Sequence, residues 1–270
     1  MCWVAAAAVQ RVESAGPALP VLATALLYVG TFAPAVVALL MTARSGEPGG
    51  GTTLLDRVFQ GNVPARWYAF AVGYLPAIKL AAAVVHRVAA GAWPPFGDTP
   101  WYVVVGALAV STPVQAGEEI GWRGYALPRL AARLGFARAS LLLGVIWAVW
   151  HLPLFVIPGV DNYGQSFTLF LIVVPALSVA MAWLYMQTRG SLLLVMLMHS
   201  AVNQTGFVIP SANRTTTNPF ALSASLVGWL TAAFLWIGAA YLLARMRHVA
   251  PCGHRLSTAL SSGVRTGFDR

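Results

Sequence analysis

Acidic residues are scarce in this chain: eight Asp and Glu in 270 positions, beside seventeen Lys and Arg, with charged residues of all kinds at only 9%. A soluble domain normally carries about a quarter charged residues, so the composition excludes an ordinary soluble globule and points to a polytopic membrane protein. Lysine is nearly missing. Lys79 is its single occurrence, and every other basic residue is Arg. Cysteine occurs only as Cys2 and Cys252, near opposite termini, which excludes a disulfide framework and a cysteine-based metal site. Internal repeats and a separate soluble domain are also missing. The net charge of +9 would suggest nucleic acid in a soluble protein. In a chain this apolar it suits an anionic membrane face instead, and no nucleic-acid partner is expected.

What the chain has in abundance is apolar length: 58% of its residues are hydrophobic. Runs long enough to cross a bilayer lie at 18–41, 67–85, 101–116, 139–157, 167–186, 191–209 and 221–244. Only helices or closed barrels satisfy their backbone in lipid, and runs of this length read as helices. The expected fold is an all-α transmembrane bundle of about seven spans. Eight remain possible, because the third run is short and the fourth and fifth contain proline. The expected organisation is one membrane domain over residues 1–244 and a basic, disordered tail over 245–270. The apolar piece at 4–9 is too short to span and has no basic residue ahead of it, so it does not read as a signal peptide. Residues 52–59 read as a short amphipathic helix at the interface.

Basic residues are distributed unevenly between the two sides. Arg44, Arg57, Arg66, Arg123, Arg129, Arg133, Arg138, Arg189, Arg245, Arg247, Arg255, Arg265 and Arg270 fall on one side of a seven-span layout. Only Arg11, Arg87 and Arg214 fall on the other. The positive-inside rule then puts the N-terminus outside and the C-terminus in the cytoplasm of a plasma or inner membrane.

Three polar groups interrupt the apolar runs. Each ionisable side chain at membrane depth costs roughly 2.5–3.5 kcal/mol on insertion scales, so such groups persist when they pair or do chemistry. Glu118 and Glu119 are adjacent; Glu119 and Arg123 stand at i,i+4, suited to an intrahelical ion pair. Glu118 is turned about 100° from Glu119 on an α-helix, which leaves it to act elsewhere. Read alone, the pair is equally at home in a solvated helix cap. His151 sits in a second apolar run with Trp147 one turn before it; a lone histidine of this kind is more often a hydrogen-bonded core residue. His199 and Asn203 share a face at i,i+4 in a third run, where polar glue between helices is the plainer explanation. Lys79, near the middle of the second span, is a further suspect on the same cost argument. Together the three groups supply a carboxylate, two imidazoles and a carboxamide. A carboxylate and a histidine can take a proton from water, and a histidine and an asparagine can donate to an oxyanion. Alternatively, Glu118, His151 and His199 are a donor set for a hydrolytic zinc ion.

The three motifs, Glu118-Glu119-x-x-x-Arg123, Trp147-x-x-x-His151 and His199-x-x-x-Asn203, resemble in order and spacing those of the CAAX-processing and bacteriocin-processing family of intramembrane endopeptidases. Its members include the type II CAAX prenyl endopeptidases. Trp147 departs from the pattern, since phenylalanine is usual there, and the aromatic exchange is expected to keep the packing role. The resemblance covers residues 100–210. It implies a helical membrane protease whose site opens toward the cytoplasmic half of the bilayer. Carried over by motif, Glu118 and His151 activate water, His199 and Asn203 hold the oxyanion, and Glu119, Arg123 and Trp147 support them. It implies no cofactor, with zinc as the alternative, and a membrane-anchored or lipidated peptide as substrate. Two readings of other classes stay open: a proton-coupled transporter, and a non-catalytic scaffold or immunity protein. Substrate identity and oligomeric state are not legible.

Overall fold

The computed structural model describes residues 18–45, 50–158, 160–210, 216–222 and 224–247. The expected non-spanning N-terminal segment and the tail beyond 247 lie outside the described residues. The elements are α1 (Ala18–Arg44), α2 (Gly50–Val58), α3 (Ala65–Ala90), α4 (Trp101–Val114), α5 (Ala116–Glu119), a π-helical segment (Ile120–Ala126), α6 (Leu127–Trp150), a 3-10 turn (Leu152–Val156), α7 (Phe167–Gln187), α8 (Leu192–Thr205) and α9 (Leu226–Arg247). Among the described residues there is no strand, so the all-α expectation is met.

The span count follows from lengths. Five helical stretches are long and apolar enough to cross a bilayer, and one of them, Trp101–Val156, is 56 residues long. At about 1.5 Å per residue that is far more than the roughly 30 Å of a hydrocarbon core. The stretch reverses at Gly135, whose φ of 74° and ψ of 157° lie in a region open essentially only to glycine. It therefore supplies two passes. With the shorter apolar helix α8, about seven passes result.

Local sequence marks the boundaries. Pro64 and Pro100 precede α3 and α4 in extended conformation, as the ring demands. Ser166 and Ser191 cap α7 and α8, each side chain accepting from the backbone N–H three residues on at 3.2 Å, which satisfies an orphan donor. Gly91 closes α3 in the left-handed conformation.

α7 is the centre of the bundle. Val174 to Ala182 are buried without a break, and α7 packs against α6 on one side and α9 on another. α4 has no buried residue and faces lipid with Val103, Val105 and Val110. The π-helical segment packs on α1, and the approach is close: a Cβ on Gly121 would sit 2.5 Å from the Pro34 Cβ. In lipid such van der Waals contact between small residues, rather than hydrophobic burial, holds helices together.

The expected interfacial helix is α2, and it is tied to the bundle. Leu54 is buried, while Leu55 and Phe59 are exposed. Arg57 Nη1 donates to the Tyr185 hydroxyl at 2.9 Å, Gln60 Nε2 to the Thr188 carbonyl at 3.1 Å, and Ser191 Oγ to the Gln60 carbonyl at 2.6 Å. These bonds fasten α2 and its following loop under the α7–α8 turn.

Candidate active site

Glu118 and Glu119 end α5, where the helix widens into the π-helical segment. Single-turn π segments recur at functional sites because they displace side chains from the α-helical phase. Both carboxylates are buried, Glu119 completely and Glu118 to 6% exposure, which rules out the solvated cap. They face different helices. Glu119 points toward α8, where His199 Nδ1 lies 2.8 Å from its Oε1. Glu118 points toward α6, where Trp147 Nε1 donates to its Oε2 at 2.8 Å.

Arg123 holds Glu119 with Nη1 at 2.8 and 3.0 Å from the two carboxylate oxygens. Its own side chain is 0% exposed, so it is a member of the site rather than a loop charge. The tally behind the orientation loses one residue accordingly. Nη2 of Arg123 reaches the Met181 sulfur at 3.3 Å, and the guanidinium carbon lies 4.3 Å from the Trp147 ring centroid. A buried ion pair is tolerated when further hydrogen bonds complete it, and His199 supplies one.

Trp147 touches four members of this centre. Beyond its bond to Glu118 and its face toward Arg123, its ring meets His151 and His199 edge-on, at 5.6 and 5.2 Å between centroids. His151 is also flanked by Trp150 and Phe170, at 5.1 and 5.3 Å. His151 does not lie deep in its helix: α6 ends at Trp150, and His151 is the C-cap residue, with Pro153 in the 3-10 turn just beyond. There the α6 hydrogen-bond ladder has run out, and His151 Nδ1 lies 2.8 Å from the Trp147 carbonyl. A carbonyl only accepts, so Nδ1 carries a proton, and in the neutral ring the lone pair is on Nε2.

Asn203, one turn beyond His199 on α8, is exposed and stands outside the hydrogen-bonded cluster. Its neighbours join a polar seam between α8 and α4. Ser111 and Ser200 share a hydroxyl–hydroxyl bond, Ser200 Oγ donates to the Leu108 carbonyl at 3.2 Å, and Gln204 Nε2 reaches Ser111 Oγ at 3.4 Å. Lys79 lies midway along α3 and is half buried.

Among the described residues no three His, Cys, Asp or Glu side chains converge to hold a metal ion. One oxygen of Glu118 is engaged by Trp147, and His199 Nδ1 by Glu119. Met181, Trp150 and Phe170 were not singled out by the sequence. Each is an apolar residue in an apolar run, and nothing in its spacing marks it.

A bundle with lipid-facing outer helices around a buried carboxylate–imidazole–guanidinium centre is a polytopic membrane protein with a reaction-type polar core. The segment that carries this core is similar to a known peptidase family: residues 98–205 match the model of the type II CAAX prenyl endopeptidase Rce1-like proteins. CAAX prenyl protease 2 of Methanococcus maripaludis is 33% identical over 93 residues, covering 32% of this chain. The match spans 34% of that relative, about a third of its length. The family resemblance read from the three motifs is thereby borne out.

Proposed function

We propose that this protein is an intramembrane endopeptidase that hydrolyses a peptide bond of a membrane-anchored or lipidated peptide without a metal ion. The observation that carries the reading is the pairing of Glu118 and His151 as two differently held acceptors beside one indole. His151 has its lone pair on Nε2, and Glu118 keeps Oε1 outside its bond to Trp147. Water between them loses a proton to this pair as its oxygen attacks the scissile carbonyl. The resulting oxyanion accepts hydrogen bonds from His199 Nε2–H and from the Asn203 amide, which is one turn on and accessible. Collapse breaks the C–N bond, and the proton held by Glu118 and His151 passes to the departing amine.

The donor role requires His199 to carry a proton on each nitrogen, since Nδ1 faces Glu119. Charge balance favours this form. Glu118 and Glu119 contribute two negative charges and Arg123 one positive, and an imidazolium at His199 brings the buried set to neutrality. Isolated buried charge is the costly alternative.

The proposed orientation has the N-terminus outside and the C-terminus in the cytoplasm of the cell membrane, supported by the basic residues around α2, the α6 break and Arg189. The test is cleavage of a farnesylated CAAX peptide and a panel of membrane-anchored peptides by purified protein in detergent. Glu118→Gln and His151→Ala are each expected to lose about 100-fold or more in kcat, while a chelator leaves wild-type cleavage unchanged. Loss on chelation with recovery on added zinc would overturn the metal-free mechanism. Full activity in both variants would overturn the site.

A further inference from the structure

We infer that Trp147 is a positioning residue for the reaction, acting through its indole N–H on Glu118 in addition to packing. This rests on the reading of Glu118 as the water-activating carboxylate. The family pattern has phenylalanine at this position, and an aromatic exchange that only kept packing would leave the indole nitrogen without a task. Instead Nε1 donates to Glu118 Oε2 at 2.8 Å, with Trp147 3% and Glu118 6% exposed. A buried carboxylate needs donors to stay ionised, and among the described residues this is the side-chain donor that Glu118 has.

The bond also selects an oxygen. With Oε2 engaged, the carboxylate plane is fixed and Oε1 is the oxygen presented to water. The indole itself is clamped, by the Arg123 guanidinium at 4.3 Å from its centroid and by His151 and His199 edge-on at 5.6 and 5.2 Å. The clamp converts a single hydrogen bond into a fixed carboxylate orientation, because the indole cannot rotate without breaking contact with all three. A phenyl ring at this position keeps part of the clamp and loses the donor.

Two replacements separate the donor from the ring. Trp147→Phe removes the N–H and part of the ring. Replacing Trp147 with 3-benzothienylalanine keeps the bicyclic shape and removes only the N–H, whereas 4-fluorotryptophan keeps both. Hydrogen bonds to charged groups support an expected fall of about 10- to 100-fold in kcat for the benzothienyl protein. KM should stay within about twofold of wild type, and 4-fluorotryptophan should restore most of the rate. Wild-type kcat in the benzothienyl protein would overturn the inference and leave Trp147 as packing only.

The bond is also read without turnover. In 15N-indole NMR spectra, the Trp147 N–H signal, assigned by its loss in Trp147→Phe, is expected downfield in wild type and shifted upfield in Glu118→Gln. An unmoved signal would mean that the bond does not form. A moved signal in a Glu118→Gln protein that still cleaves at full rate would keep the bond and remove the catalytic reading of Glu118.

Discussion

Two adjacent glutamates with different partners lead to opposite consequences on mutation. Glu119 is completely buried and bonded to both Arg123 and His199. Removing Arg123 leaves that carboxylate, among the described residues, with His199 as its one side-chain partner. Breaking a buried pair by deleting one member costs about 3–5 kcal/mol, so Arg123→Leu is expected to lower the thermal midpoint in detergent steeply, with activity falling alongside. Among the described residues Glu118 is engaged by a single side-chain donor. The amide oxygen of Glu118→Gln still accepts from Trp147, so its midpoint is expected within the change of about 1 kcal/mol typical of single substitutions while cleavage is lost. A Glu118→Gln protein that unfolds as readily as Arg123→Leu would refute this division between a structural and a reacting carboxylate. The sequence allowed the Arg123–Glu119 pairing to be read, because i,i+4 geometry is local. It did not reveal that Glu118 meets Trp147, because that bond joins residues 29 positions apart on different helices.

At the scale of elements, two glycines set where the site residues stand. Gly135 turns the long helical stretch back on itself, so that Trp147 and His151 return alongside Glu118. Gly135→Ala meets no neighbouring atom, and its cost is purely conformational, about 1–3 kcal/mol. Gly121 has the opposite problem. A methyl group there meets Pro34 at 2.5 Å, and such overpacking costs about 1–3 kcal/mol while pushing the π-helical segment off α1. Both alanine variants are expected to unfold at lower temperature, and the Gly121→Ala clash extends to the Pro34 backbone carbonyl at 2.6 Å, so only a shift of α1 against the π-helical segment relieves it. A Gly121→Ala protein with the wild-type thermal midpoint would contradict the contact. α8 carries a third element-scale feature. Its 14 residues rise about 21 Å, short of the roughly 30 Å core, so Asn203 near its end is exposed rather than sealed within a full-length span.

For the molecule as a whole, seven passes would put the start of α1 and the end of α9 on opposite sides of the membrane. With the N-terminus outside, a fluorescent protein fused after α9 is expected to be bright and an exported phosphatase fused there inactive. The reverse pattern would invert the orientation and turn the ends of α1 and α3 that carry Arg44 and Arg66 outward. The buried position of Arg123 removes one residue from the charge asymmetry but leaves it strong. The positive-inside argument therefore rests on Arg44, Arg57, Arg66, Arg129, Arg133, Arg138, Arg189, Arg245 and Arg247 among the described residues.

The number of spans, their approximate limits and the three polar motifs were decided by the sequence alone. Apolar run length answers directly to bilayer thickness, and helical spacing places residues three and four apart on one face whatever the surroundings. Which partner each polar group takes was decided only by the tertiary structure. Glu119 meets His199 from 80 positions away, Trp147 joins Glu118, Arg123 and both histidines, and His151 comes to rest at a helix end rather than within it. Those contacts depend on how α5, α6 and α8 cross, on the reversal at Gly135 and on the widened turn after Glu119. Sequence periodicity describes one helix at a time and carries no information on the crossing of two.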